Sequence, residues 1–140
     1  PPLLMTTVPV LSCKAGCTLD PIAPGGLRLV GVCEQAVRVL GHSLVITAGT
    51  NGHTSGRHAV GEALDVSVSG LTPHQVVTLY HCLQRLLGKR FTVLYEVRTR
   101  PTHDALRAIA FINPKATGPH LHLQVKKGTV FPPTDAVAYA

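Results

Sequence analysis

Ser55-Gly56-Arg57-His58-Ala59-Val60-Gly61-Glu62-Ala63-Leu64-Asp65 and, far downstream, Pro119-His120-Leu121-His122-Leu123-Gln124-Val125 are the two stretches that decide the fold of this chain. The first offers one imidazole and one carboxylate on a tight turn and strand, with Gly61 and Ala63 suited to close backbone approach. In the second, alternation from Leu121 to Val125 gives a strand on which His120 and His122 face the same side. Two imidazoles and one carboxylate form a nitrogen-and-oxygen set that suits Zn²⁺ with one position left open. Three protein ligands and an open position are the catalytic arrangement, since structural zinc is normally closed by four. The ion moves the pKa of a water at the open position toward neutrality, which makes a hydrolytic nucleophile.

Around these stretches the hydrophobic pattern alternates between helix and strand. Val30, Cys33, Val37 and Leu40 recur three or four apart, which predicts a helix over 27–40 with Gly41 as its C-terminal cap. Leu44–Thr47 reads as a short buried strand, 48–57 as a Gly-rich loop, and Ala63–Val68 as a strand. A second helix starts at the Thr72 cap, with Pro73 in first position and Gln75 completing a capping box. Its face is Val76, Leu79, Tyr80, Leu83 and Leu87, and Gly88 stops it. Phe91–Val97 reads as a strand, and the apolar run Ala105–Ile112 as another. The expected fold class is α+β, a small and mostly antiparallel sheet packed by two helices. The expected organisation is an extended N-terminal arm over 1–26, a domain over 27–130 and a C-terminal tail over 131–140.

The chain has 140 residues, enough for one domain with a core of its own. No apolar run is long enough to span a bilayer. A net charge of +6 favours an anionic partner. The basic residues are scattered, and Trp is absent. Nucleic acid is therefore a poor fit, because single-strand binders interleave aromatic and basic residues. The first residue is Pro1, as in a processed chain or a piece of a longer polypeptide. Cys13 and Cys17 offer a disulfide or half of a metal site, Cys33 and Cys82 read as small buried hydrophobes, and the pairing stays open.

The two motifs together resemble the signature of the zinc D-Ala-D-Ala carboxypeptidase and L,D-endopeptidase family, whose fold the hedgehog signalling domain shares. Gly52-His53-Thr54-Ser55-Gly56-Arg57-His58 through Asp65, and Phe91-Thr92-Val93-Leu94-Tyr95-Glu96, resemble the hedgehog-like branch most. The resemblance covers roughly residues 27–127. It implies zinc held by His58, Asp65 and His122. It also implies that His120 lines the site and that His53 holds substrate or the oxyanion. A carboxylate must serve as general base; Glu96 fills that place in the hedgehog-like pattern, with Asp104 as the rival. Arg57 and Ser55 stand as substrate-binding residues, Arg57 because a guanidinium binds carboxylate in a bidentate manner.

The implied activity is hydrolysis of an amide in peptidoglycan stem peptides, as in a bacteriophage lysin. The partners would be the anionic cell wall and other virion proteins. The implied location is an extracellular or periplasmic wall, or a virion. The alternative is a zinc-binding structural or interaction module without peptidase activity. Between Glu96 and His120 lies an insertion over 98–118, which the family pattern lacks.

Overall fold

Thr72 begins the best-specified helix. Its hydroxyl accepts from the Gln75 N–H (3.2 Å) while Gln75 Oε1 accepts from the Thr72 N–H (2.9 Å). Both halves of the capping box are therefore made, and two otherwise orphaned donors are satisfied. The computed structural model describes residues 8–53 and 56–131. In chain order the elements are β1 (Leu11–Cys13), α1 (Pro24–Leu40), β2 (Leu44–Ala48), α2 (Gly56–Ala59), β3 (Ala63–Ser67), α3 (Pro73–Leu87), β4 (Phe91–Val97), α4 (Asp104–Ile109), β5 (Ala110–Ile112) and β6 (His120–Val125).

The strands form one six-stranded sheet in the order β1-β2-β3-β6-β4-β5. Its centre is antiparallel, but β1 runs parallel to β2 and β5 parallel to β4. The expected mostly antiparallel sheet is thus corrected to a mixed one, because both edges are laid down by strands that return in the same direction. The two expected helices are α1 and α3; the short α2 and α4 are additional. The run Ala105–Ile112, expected as a strand, splits into α4 and β5. His103 caps α4, its Nδ1 accepting from the Ala105 N–H at 3.2 Å. Part of the segment expected as an arm is built into the fold, since it supplies β1 and the first turn of α1. Phe131, expected to open the tail, is buried, its ring 5.0 Å from that of Phe91.

Alternation along the strands sorts the sheet into two faces. Leu64 and Val66 of β3, Leu121, Leu123 and Val125 of β6, and Phe91, Val93, Tyr95 and Val97 of β4 are buried in the core. Leu29, Val32, Ala36 and Val37 of α1 and Val76, Leu79, Leu83 and Leu87 of α3 belong to the same core cluster. Cys33 lies fully within it, while Cys82 is only partly covered. All four cysteines are free thiols. The opposite face of the central strands carries polar residues in register. Asp65 pairs with His122, Ser67 with His120, and Glu96 with His120 from the other side.

Two local features aim this face. One is a bulge: Ile46 lies opposite Val66 but Ala48 opposite Asp65, so Thr47 is an extra residue on β2. The other is Gly61, at φ 74°. A methyl group there would run into the Pro21 carbonyl and the Ile22 backbone, so the turn that leads into β3 packs against the entry to α1 as only glycine allows.

Candidate metal centre

Asp65 lies at the focus of the polar face. Its Oδ1 is 2.8 Å from His122 Nδ1, 3.5 Å from His58 Nε2 and 3.7 Å from His120 Nε2. His122 is its cross-strand neighbour; His58 reaches over from α2. Tetrahedral bonds of about 2.0–2.2 Å place neighbouring donor atoms roughly 3.3 Å apart. The His58 and His122 separations from Asp65 fall on either side of that spacing. His58, Asp65 and His122 are therefore positioned to hold a metal ion.

The far nitrogens of the imidazoles are also committed. His58 Nδ1 donates to the Gly49 carbonyl at 2.8 Å, which leaves Nε2 as the atom facing Asp65. His122 Nε2 donates to Gln124 Oε1 at 2.7 Å, which leaves Nδ1 for the centre. Such outer contacts fix tautomer and ring orientation at metal sites. Gly49 is itself anchored: its N–H donates to Asn51 Oδ1 (3.0 Å), which also accepts from the Thr18 N–H (3.2 Å). The Thr50 hydroxyl donates to the Asp20 carbonyl at 2.7 Å. The segment before α1 thus clamps the loop that orients His58.

The charges agree with this arrangement. Burial opposes ionisation of Asp65, but hydrogen bonds from His122 and His58 and the nearby imidazoles outweigh it and hold the carboxyl well below the usual carboxylate range. Burial pulls the His122 pKa down, but the bonds to Asp65 and Gln124 prevail and it is raised. Without metal, an imidazolium at His122 can donate from both nitrogens at once. A metal ion held here would take the place of the Nδ1 proton.

Glu96 is buried at the end of β4, with Oε1 3.1 Å from His120 Nε2 and 3.8 Å from His122 Nδ1. Asn113, just after β5, donates to its other oxygen at 2.9 Å. His120 Nδ1 donates to the Gly118 carbonyl at 2.9 Å. His53 stacks on His58, ring centroids 4.3 Å apart and 10° from parallel. Burial, and then the neighbouring His58, lower its pKa. His53, His58, Asp65, Glu96, His120 and His122 line one open cleft of about 600 Å³, whose other wall is the end of the insertion, including Asn113, Lys115 and Thr117.

Two expected residues are not among those that line the cleft, and one lies outside the described residues. Arg57 does not line the cleft; it is tied to Glu62 at 2.9 Å, because α2 turns His58 inward and Arg57 away. Asp104, the rival base, is exposed on α4 and bonded to Arg107 at 3.0 Å. Ser55 lies outside the described residues. No motif marks Asn113 or Gly49 as site residues. Gln124 was discoverable, since it lies two residues after His122 on the same strand face. No family model, curated protein or solved structure matches the chain.

Proposed function

We propose that this chain is a zinc-dependent metallopeptidase that hydrolyses an amide bond in peptidoglycan stem peptides, as a D-Ala carboxypeptidase or an endopeptidase of the lysin type. Support comes chiefly from one observation. Three donors of zinc-preferring chemistry converge beside a buried carboxylate in an open cleft, and both imidazole ligands have their far nitrogens held by protein acceptors. When bound, zinc supplies Lewis acidity toward a carbonyl and acidifies water.

The protein's own groups do the rest. Glu96 Oε1 takes a proton from water in the cleft and delivers it to the leaving amine. Asn113 holds the second oxygen, so the carboxylate cannot swing away. His120, 3.1 Å from Glu96 Oε1, helps to hold the carboxylate in place. His53, at the rim against His58, contacts the substrate carbonyl. Lys115 is exposed on the insertion wall and meets a substrate carboxylate. The net positive charge draws the enzyme to an anionic wall.

The test is zinc content by elemental analysis on wild type and His122→Ala, followed by a muropeptide digest of both. About one zinc per wild-type chain at micromolar supply, lost in the variant, with stem peptides released only by wild type, is the expected result. Zinc retained without cleavage would instead favour a zinc-binding structural or interaction module. No zinc in wild type would overturn the ligand assignment.

A further inference from the structure

The cleft holds a second ligand group that a one-metal peptidase does not use as such. Asp65, Glu96 and His120 also bring a carboxylate oxygen each and one imidazole nitrogen together. His120 Nε2 is 3.1 Å from Glu96 Oε1 and 3.7 Å from Asp65 Oδ1. His120 Nδ1 is spent on the Gly118 carbonyl, which can only accept, so Nδ1 must carry the hydrogen. Nε2 is then the nitrogen that faces the two carboxylate oxygens. One imidazole nitrogen and two carboxylate oxygens gathered at one point make a donor set suited to a divalent cation. Glu96 is buried, and Asn113 holds its Oε2, so Oε1 is the oxygen presented to this point.

We infer that Asp65, Glu96 and His120 form a second divalent-cation site that shares Asp65 with the first, giving a carboxylate-bridged pair. His58 and His122 complete the first site, His120 and Glu96 the second. Paired ions in such sites sit about 3.5–4 Å apart. Repulsion between two dications at that distance orders the filling, so the second ion binds at least about tenfold more weakly than the first. The binding claim is independent of the peptidase proposal. One consequence does rest on it: an ion on Glu96 removes the proton acceptor, so excess zinc inhibits cleavage.

The experiment is a Zn²⁺ titration of the metal-stripped full chain by calorimetry, with a parallel Co²⁺ titration followed by electron paramagnetic resonance. Wild type is expected to take two ions in two separated steps. The Co²⁺ signal should grow with the first and be lost by magnetic coupling with the second. Glu96→Gln and His120→Ala should each keep the tight step and lose the weak one. A single step in wild type at millimolar free metal would overturn the second site, as would a second step that survives in both variants. The Co²⁺ coupling is read on wild type, so it decides the matter even if a variant fails to fold. Should two coupled ions bind while no muropeptide is cleaved at any zinc concentration, the peptidase proposal fails and the second site stands.

Discussion

Replacing Gln124 by Leu should weaken zinc binding without removing any ligand. Gln124 Oε1 accepts from His122 Nε2 at 2.7 Å, and this bond keeps Nδ1 aimed at Asp65 and the centre. Leucine has similar bulk but cannot accept. His122 then loses a bond worth about 1 kcal/mol net, with a further cost because its Nε2–H is left in a partly buried place without a partner. Supporting contacts of this type are worth about 10–100-fold in metal affinity. Since about 1.4 kcal/mol is a factor of ten, the expected loss is roughly 1.4–2.8 kcal/mol of binding free energy. Competition against a chromophoric chelator measures it, with circular dichroism and melting of the metal-free protein as controls. Gln124→Glu, which keeps an acceptor and makes it anionic, should bind at least as tightly as wild type. Zinc affinity for Gln124→Leu within twofold of wild type, in a normally folded protein, would refute the role given to this residue.

Three further outcomes are expected. Glu96→Gln should retain the tight zinc while muropeptide turnover falls about 10²–10⁴-fold, as a lost general base requires; unchanged turnover would remove Glu96 from that role. Metal-free protein should depend on pH through the Asp65–His122 pair. The raised pKa of His122 stabilises the fold below its unfolded value of about 6.5 and the benefit is lost as pH rises through the folded value, whereas Asp65 stabilises above about 3.9 and the benefit is lost as pH falls. Melting of the metal-free protein across pH 5–9 should therefore decline on the alkaline side, and Asp65→Asn should flatten that decline. Gly61→Ala should destabilise by about 2 kcal/mol or more, from its φ of 74° and the clash with Pro21; a shift of the urea midpoint measures it, and an unshifted midpoint would count against the packing described.

Much of the centre was legible because its elements follow strong local rules. The capping box fixed the start of α3, and period-two alternation in β6 brought His120 and His122 to one face. What escaped depends on partners distant in sequence or on ambiguous local signals. Ala105–Ile112 has an apolar run too short to distinguish helix from strand, and a histidine cap is not among the usual signals. Nothing near Leu11–Cys13 shows that it pairs with β2, which comes about thirty residues later. Pro24 in first helical position could have moved the start of α1 forward, but the following two glycines read as a linker. Gly49 reaches His58 through its backbone carbonyl, which no side-chain pattern reveals. Arg57 reads as a carboxylate binder from its guanidinium, yet adjacent residues on a helical turn point apart, and His58 is the one turned inward.

The bond between Asp65 and His122 joins residues 57 positions apart, across two strands at the middle of the sheet. Neither half of the chain can assemble the ligand set alone, and neither can a folding intermediate that lacks the β3–β6 pairing. Loop closure on this scale comes before any reward from the contact, which slows folding. The free energy of metal capture therefore accrues only to the finished native state. Zinc should retard unfolding strongly while leaving the refolding rate nearly unchanged, so its stabilising effect would be expressed as a longer lifetime of the folded protein.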